Sequence, residues 1–209
     1  MQEANRVSSA LMRRLPRYFR YLQELERRGV TRISSQELAR RMRLTASQIR
    51  QDINCFGGEG QQGYGYVVVS LRERISRLLG LGREYSMVIV GAGNLGQALS
   101  KYNGFGDMGF KVRALFDINE RLAGLPVYHY TIRPVSELAG YLSEHKTDIG
   151  VITVPAEHAQ ATCDALARGG VGAVWNFAPL DLRAPEGVSL ENMHLSDSLL
   201  VLSYKLTHQ

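Results

Sequence analysis

Residues 86–117 constrain the fold more than any other stretch of the chain. Ser86-Met87-Val88-Ile89-Val90 is a short apolar run, Gly91-Ala92-Gly93-Asn94-Leu95-Gly96 matches G-x-G-x-x-G, and Val112-Arg113-Ala114-Leu115-Phe116 is a second apolar run that ends at Asp117. The spacing predicts a strand, a glycine turn, a helix and a second strand. Each residue type answers a need of a bound dinucleotide. Gly91 permits a tight turn, Gly93 lets backbone approach a pyrophosphate, Gly96 allows the helix to pack closely, and the helix start presents N–H groups to phosphate. Asp117 would then accept from a ribose 2′-hydroxyl, and its charge repels a 2′-phosphate, which favours NAD(H) over NADP(H). A glycine-rich turn alone is weak evidence, because such turns also serve purely structural ends. The strand before it, the helix after it and the acid at the end of the next strand carry the reading.

Strand and helix continue to alternate beyond this unit. Residues 94–103 are expected to form the first crossover helix, 104–109 a loop and 111–116 the second strand. A short third strand is expected at 125–130, a helix at 136–144 and a buried strand at 148–154. Residues 156–168 should form a helix closed by Gly169-Gly170, and 173–176 the next strand. This order predicts a parallel, doubly wound sheet whose strand C-termini hold the ligand. It gathers Gly91, Ala92, Gly93, Asn94, Leu95, Gly96, Asp117, Thr153-Val154-Pro155 and Asn176-Phe177-Ala178-Pro179 around one crevice. His158, at the start of the helix after Pro155, either packs or touches the cofactor. After a polar stretch with Pro185-Glu186-Gly187, Ser196 or Asp197 is expected to cap a terminal helix bearing Leu199, Leu200, Leu202, Tyr204 and Leu206. Such a helix must pack on its own sheet or on a second subunit.

The charge is unevenly divided. Residues 1–80 hold 15 arginines and no lysine against 7 acids, whereas residues 81–209 hold 10 Lys or Arg against 13 acids. Charge runs are usually solvated surface, but a surplus confined to one end of the chain, and made of arginine, suits phosphate and guanine. Within it, Leu11, Leu15, Tyr18, Phe19, Leu22 and Leu25 recur at helical spacing among arginines up to Gly29, and Pro16 must open the main helix or kink it. Ser34-x-x-Glu37 and Thr45-x-x-Gln48 are capping-box signatures that open two short helices around a turn at Arg43-Leu44, the spacing of a helix-turn-helix. The second helix buries Ile49 and Ile53 and carries Ser47, Gln48, Arg50, Gln51 and Asn54, residue types that read base edges and phosphates. Glycine-rich residues 56–69, ending in Val67-Val68-Val69, read as a β-hairpin wing, which would make the domain a winged helix. Ser70-x-x-Glu73 is expected to cap a further helix, and Gly80-Leu81-Gly82 to mark the domain boundary. Arg14, Gln62 and Tyr64 join the helix residues as candidates for DNA contact.

Composition excludes other classes. No run of about eighteen apolar residues is present to span a membrane. Residues 1–12 lack the apolar core of a signal peptide, and two distant cysteines, Cys55 and Cys163, suit a reducing cytoplasm, where the protein is expected. Neither cysteine sits in a metal-ligand pattern, and no metal is expected. An enzyme reading must be weighed, because glycine fingerprints of this type commonly serve dehydrogenases. The acid–base candidates are His129, His145, His158, Tyr102 and Cys163, none in a recognisable catalytic pattern, and little chain remains for a substrate domain. Cys55 as a thiol redox sensor lacks a basic neighbour or a resolving cysteine in the sequence.

A basic winged helix joined to a Rossmann core in so short a chain resembles the Rex family of redox-sensing transcriptional repressors. The resemblance runs from about Arg14 to Tyr204. Its most specific stretches are Arg14-Leu15-Pro16, Ser34-Ser35-x-Glu37-Leu38-Ala39, Ser47-Gln48-Ile49-Arg50-x-Asp52, Phe56-Gly57 and Gly63-x-Gly65-Tyr66. In the core they are residues 90–96, Val154-Pro155-Ala156-Glu157-His158-Ala159-Gln160 and Asn176-Phe177-Ala178-Pro179. The resemblance implies domains at 1–82 and 83–192 and a dimerisation helix at 193–209. It further implies a homodimer that binds a palindromic operator when NAD⁺ dominates and releases it when NADH binds. The terminal helix would be exchanged between subunits and inserted between the partner's two domains, with Tyr102 near the nicotinamide and Leu195 as an apolar lid. Four departures stand out. Gln51 and Gln62 replace basic residues, Cys55 replaces an aromatic, and His194-Leu195 stands where the family has Asp-Phe. That aspartate is expected to pair with Arg20 in the ligand-bound form, a pair histidine cannot make.

Overall fold

The structure is a computed structural model that describes residues 8–57 and 64–208. The chain divides into two compact units, the first ending at Arg83 and the second beginning at Glu84.

The first unit is built from four helices, α1 (Ser9–Arg27), α2 (Ser35–Met42), α3 (Ala46–Cys55) and α4 (Val68–Leu78), with a two-stranded sheet of β1 (Arg32–Ile33) and β2 (Tyr66–Val67). Ser8 caps α1 by accepting from the Leu11 N–H, and the helix runs on through Pro16. Its stripe of Leu11, Leu15, Tyr18, Phe19, Leu22 and Leu25 is buried. Each such side chain contributes roughly 1.5–3 kcal/mol relative to exposure. Ser34 and Thr45 cap α2 and α3 by accepting from the Glu37 and Gln48 N–H groups. Arg43 ends α2 in the left-handed region, with φ 54°. The expected wing differs in what is described. Tyr66 and Val67 pair antiparallel with Ile33 and Arg32, and the helix begins at Val68, without a side-chain cap from Ser70. Val68, Leu71 and Ile75 are all buried at helical spacing, so tertiary burial overrides the strand preference of Val68 and Val69. The glycine tip of the expected hairpin, residues 58–63, lies outside the described residues, as does Gln62.

The second unit is a seven-stranded sheet. Its strands are β3 (Tyr85–Val90), β4 (Phe110–Asp117), β5 (Pro126–Val127), β6 (Tyr130–Pro134), β7 (Ile149–Ile152), β8 (Ala173–Asn176) and β9 (Ser189–Asn192), in the order β5-β6-β4-β3-β7-β8-β9. All neighbours are parallel except β5 and β6. The third strand is therefore not residues 125–130. Pro126–Val127 and Tyr130–Pro134 form an antiparallel hairpin whose turn places Tyr128 at φ 58°, and β6 supplies the parallel partner of β4. β9 is an edge strand in the stretch that composition marks as polar; only Leu190 and Asn192 turn half inward. Helices α5 (Asn94–Ser100), α6 (Leu138–Glu144) and α7 (Ala156–Arg168) connect the strands, and α8 (Asp197–Thr207) ends the chain. Alternate strand residues feed two cores. Val88, Val90, Ala114 and Phe116 face Leu142, Cys163 and Leu166 of α6 and α7, while Met87, Ile89 and Leu115 face the other side. The chain adds strands to one side of β3, then returns to the other side at β7, which puts a topological switch point between β3 and β7.

Candidate functional site

The glycine turn sits at this switch point. Gly91 has φ +104°, and a Cβ there would stand 2.7 Å from the Thr153 carbonyl. A Cβ on Gly96 would stand 1.9 Å from the Gly91 carbonyl oxygen. Gly96 thus lets α5 press onto the turn, and the Thr153 hydroxyl seals the packing by donating to the Gly91 carbonyl at 2.7 Å. A Cβ on Gly93 would meet nothing within 4 Å, so the space over the turn is open where a pyrophosphate would lie. Asp117, at the end of β4, accepts from the Ala92 N–H at 2.6 Å through Oδ2 and from the Asn119 N–H at 2.8 Å through Oδ1. Its carboxylate ties the two βα turns together and remains half-buried at the crevice. Ile118 next to it leaves an apolar side chain 59% exposed at the rim, a position that only its place after the acid could have marked.

Thr153 lies against the glycine turn, Val154 and Pro155 follow it, and His158 is exposed in the first turn of α7. Phe177 packs on Trp175, ring centroids 4.5 Å apart. Asn176 spends its amide within the protein. It is fully buried, its Oδ1 accepts from the Ala178 N–H at 2.9 Å, and its Nδ2 donates to Leu180 O at 2.8 Å and Asn192 Oδ1 at 2.9 Å. Its amide shapes the loop that carries Phe177 and the buried Ala178. The crossover helix stops at Ser100, and Tyr102 lines a cavity of about 490 Å³ with Phe110, Lys111 and Arg113, at the opposite end of β4 from Asp117.

In the first unit, Ser47, Arg50, Gln51 and Asn54 project from α3 as one exposed stripe, with Cys55 at its end. Arg50 approaches Ser35 Oγ at 3.5 Å. Tyr64 is 67% exposed, and the Arg32 guanidinium lies 5.9 Å from its ring centroid. Arg32 is a cation beside Tyr64 that no motif marked. Two candidates turn inward. Arg14 donates from Nε and Nη2 to Asp52 at 2.8 and 2.7 Å, and Gln48 donates to Asp52 Oδ1 at 2.8 Å. Arg14 and Gln48, expected at the DNA face, thus give these donors to a buried carboxylate on α3.

Comparison with known proteins covers both units. Residues 6–54 match the family model "Putative DNA-binding protein N-terminus", and residues 82–180 match "CoA binding domain". The redox-sensing transcriptional repressor Rex of Clostridium tetani is 51% identical over all of this chain and 99% of its own length. That of Clostridium beijerinckii is 52% identical over 99% of this chain and 98% of its own. The chain belongs to the Rex family of redox-sensing transcriptional repressors. Among solved structures, RSP in complex with β-NAD⁺ and operator DNA is 50% identical, with a TM-score of 0.91 over 97% of this chain and 93% of that one. RSP in complex with β-NADH is 48% identical, with a TM-score of 0.89 over 97% and 95%.

Rex proteins are regulators, which removes the dehydrogenase alternative. Among its candidates, Cys163 is buried, and burial pushes its thiol up, away from the reactive thiolate. Among the described residues, no three His, Cys, Asp or Glu are grouped to hold a metal ion, and no helix is long and apolar enough to cross a membrane. His194 Nε2 lies 2.8 Å from Asp181 Oδ1. The hydrogen bond to Asp181 raises its pKa above the ordinary 6.5. All described residues of α8 are exposed, Leu199, Leu200 and Leu206 by 65, 67 and 74%.

Proposed function

We propose that this chain acts as a homodimer that holds a palindromic operator when NAD⁺ dominates and releases it when NADH binds. The observation that carries the reading is that a relative 50% identical, aligned over 97% of the chain, holds β-NAD⁺ and operator DNA together. Cofactor binding falls to Gly91 to Gly96, Asp117, Thr153 to Pro155, His158, Phe177 and Ala178. DNA contact falls to Ser47, Arg50, Gln51, Asn54 and Tyr64, with Gln62 beyond the described residues. Domain limits of 1–82, 83–192 and 193–209 follow the same reading.

The dimer is supported by α8. A helix whose leucines stand in water is unstable alone, and burying Leu199, Leu200, Leu202 and Leu206 recovers roughly 1.5–3 kcal/mol each. A second copy offers that cover if its α8 exchanges in return. An apolar cavity of about 460 Å³, lined by Met87, Phe105, Met108, Trp175 and Leu190, leaves further surface for a partner. Discrimination between the two cofactor states follows from charge. The nicotinamide of NADH is neutral and that of NAD⁺ cationic, so an apolar lid such as Leu195 of the partner closes at lower desolvation cost over the reduced ring.

The test is a gel shift with a palindromic operator duplex, titrated separately with NADH and NAD⁺. NADH should release the duplex at far lower concentration than NAD⁺, and bound operator should weaken NADH by the same factor, since linkage is reciprocal. Equal effects of the two cofactors would end the sensor reading.

A further inference from the structure

Asp52 is a carboxylate on the helix that faces DNA, where an exposed negative charge would repel phosphate. It is instead 2% exposed, and four donors converge on it. Arg14 Nε and Tyr18 Oη donate to Oδ2 at 2.8 and 2.9 Å; Arg14 Nη2 and Gln48 Nε2 donate to Oδ1 at 2.7 and 2.8 Å. Arg14 and Tyr18 stand one turn apart on α1, and Gln48 stands one turn before Asp52 on α3, so a single carboxylate joins the two helices. Burial alone would push the Asp52 carboxyl up, but the hydrogen bonds from Arg14, Gln48 and Tyr18 outweigh it and hold the group below its ordinary value. Tyr18 is pushed up by burial and by the same hydrogen bond, so it remains a donor.

The apolar contacts of α3 leave a degree of freedom that this network removes. Ile49 and Ile53 are fully buried and choose which side of α3 faces the core. Apolar packing is non-directional, so it tolerates small rotations about the helix axis; bidentate hydrogen bonds to a buried charge do not. The network also spends two side chains whose chemistry suits DNA. Gln48 occupies the third position of the capping box opened by Thr45, yet its amide goes to Asp52 rather than outward.

We infer that Asp52 is a positioning residue for operator reading: it fixes the roll of α3 against α1 and withdraws Arg14 and Gln48 from the DNA face, leaving Ser47, Arg50, Gln51 and Asn54 to read it. The inference rests on the DNA-binding function proposed above. It assigns sequence discrimination to one stripe of α3 and excludes a glutamine that the residue pattern alone would include.

The test uses the full-length protein, a duplex that the wild-type chain selects from a random-sequence pool, and a scrambled duplex of the same length. Asp52→Asn should lower the ratio of selected to scrambled affinity about tenfold, the worth of one good base contact. Affinity for the scrambled duplex should hold or rise, because the Arg14 cation is freed toward phosphate. NADH affinity should not change. A parallel loss on both duplexes marks a merely structural role and overturns the inference, as does an unchanged ratio. Gln48→Ala keeps the Arg14–Asp52 pair and should leave the preference at every operator position within twofold. A loss of preference confined to one base pair would show that Gln48 reads DNA and would overturn the inference by itself. A wild-type chain that selects no duplex would instead remove the DNA-binding function, and this inference with it.

Discussion

The two units build their candidate sites from different materials. At the glycine turn the second unit uses backbone: Gly91 and Gly96 matter for the side chain they lack, Ala92 offers an N–H, and Asp117 is held by two backbone donors. The first unit uses side chains on a helix face, and which of them face outward depends on a buried carboxylate. A backbone-built site tolerates no added atom where backbone meets backbone, as at Gly91 and Gly96, yet its other neighbours are free to vary. A side-chain-built site tolerates many exchanges at its surface, yet depends on the group that sets its angle. The difference explains where substitutions in this chain should be felt.

The largest effect should come from Gly96→Ala. Its methyl would lie 1.9 Å from the Gly91 carbonyl oxygen and 2.9 Å from Thr153 Oγ1, and neither is the free end of a flexible side chain. The turn or α5 must shift, at a cost of about 3 kcal/mol, the upper range for overpacking. Urea denaturation followed in the second unit should show that loss, with NADH binding abolished. Alanine accepted without change in either measurement would break the comparison, because the turn would then not be set by backbone contact.

Asn176→Ala comes next and sharpens the contrast. Here a side chain stands in for backbone, its amide closing the loop after β8 on Ala178, Leu180 and Asn192. Alanine leaves those buried groups without their partner and should cost about 1–3 kcal/mol. The urea midpoint should fall more than NADH affinity does. A variant of full stability that loses NADH would return Asn176 to direct cofactor contact.

The same contrast decides what the sequence discloses. Glycine spacing states a steric demand outright, so Gly91, Gly93, Gly96 and the acid at Asp117 were legible, as were the capped starts of α2 and α3. Periodicity also located α1 and α7, whose buried stripes repeat at helical spacing. It failed where tertiary burial overrode local preference, at Val68-Val69, which begin a helix despite their branched side chains. It failed again at the edge of the sheet, where β9 buries too little to leave an apolar pattern, and at residues 125–134, where the hairpin turn at Tyr128 carries no glycine. Gln48 and Arg14 are the instructive cases. Nothing in the type or spacing of an exposed polar residue tells whether a carboxylate four or thirty-eight positions away will claim it. The parallel case is Tyr102, assigned by analogy to a helix that ends two residues before it.

The smallest effect belongs to a contact that is side-chain-built and solvent-exposed, at the root of α8. His194 and Asp181 are paired at 2.8 Å, and the Asp197 N–H bonds back to the His194 carbonyl at 3.2 Å, so the pair steadies the residues that lead into the helix. The hydrogen bond to Asp181 raises the His194 pKa above 6.5, and Asp197 adds to it. A raised pKa in the folded chain means that the protonated pair contributes most below the ordinary value, and its contribution disappears as pH rises through the shifted one. Proton NMR of the imidazole should therefore give a midpoint above 6.5, and Asp181→Asn should bring it back toward that value. Amide exchange at Asp197, corrected for its intrinsic pH dependence, should quicken over the same interval in the wild type and not in the variant. Screening by water keeps the gain small, so the urea midpoint should scarcely move. A midpoint at or below the ordinary value would detach His194 from Asp181 and leave the entry to α8 set by backbone alone, on the side of the glycine turn rather than of the DNA face.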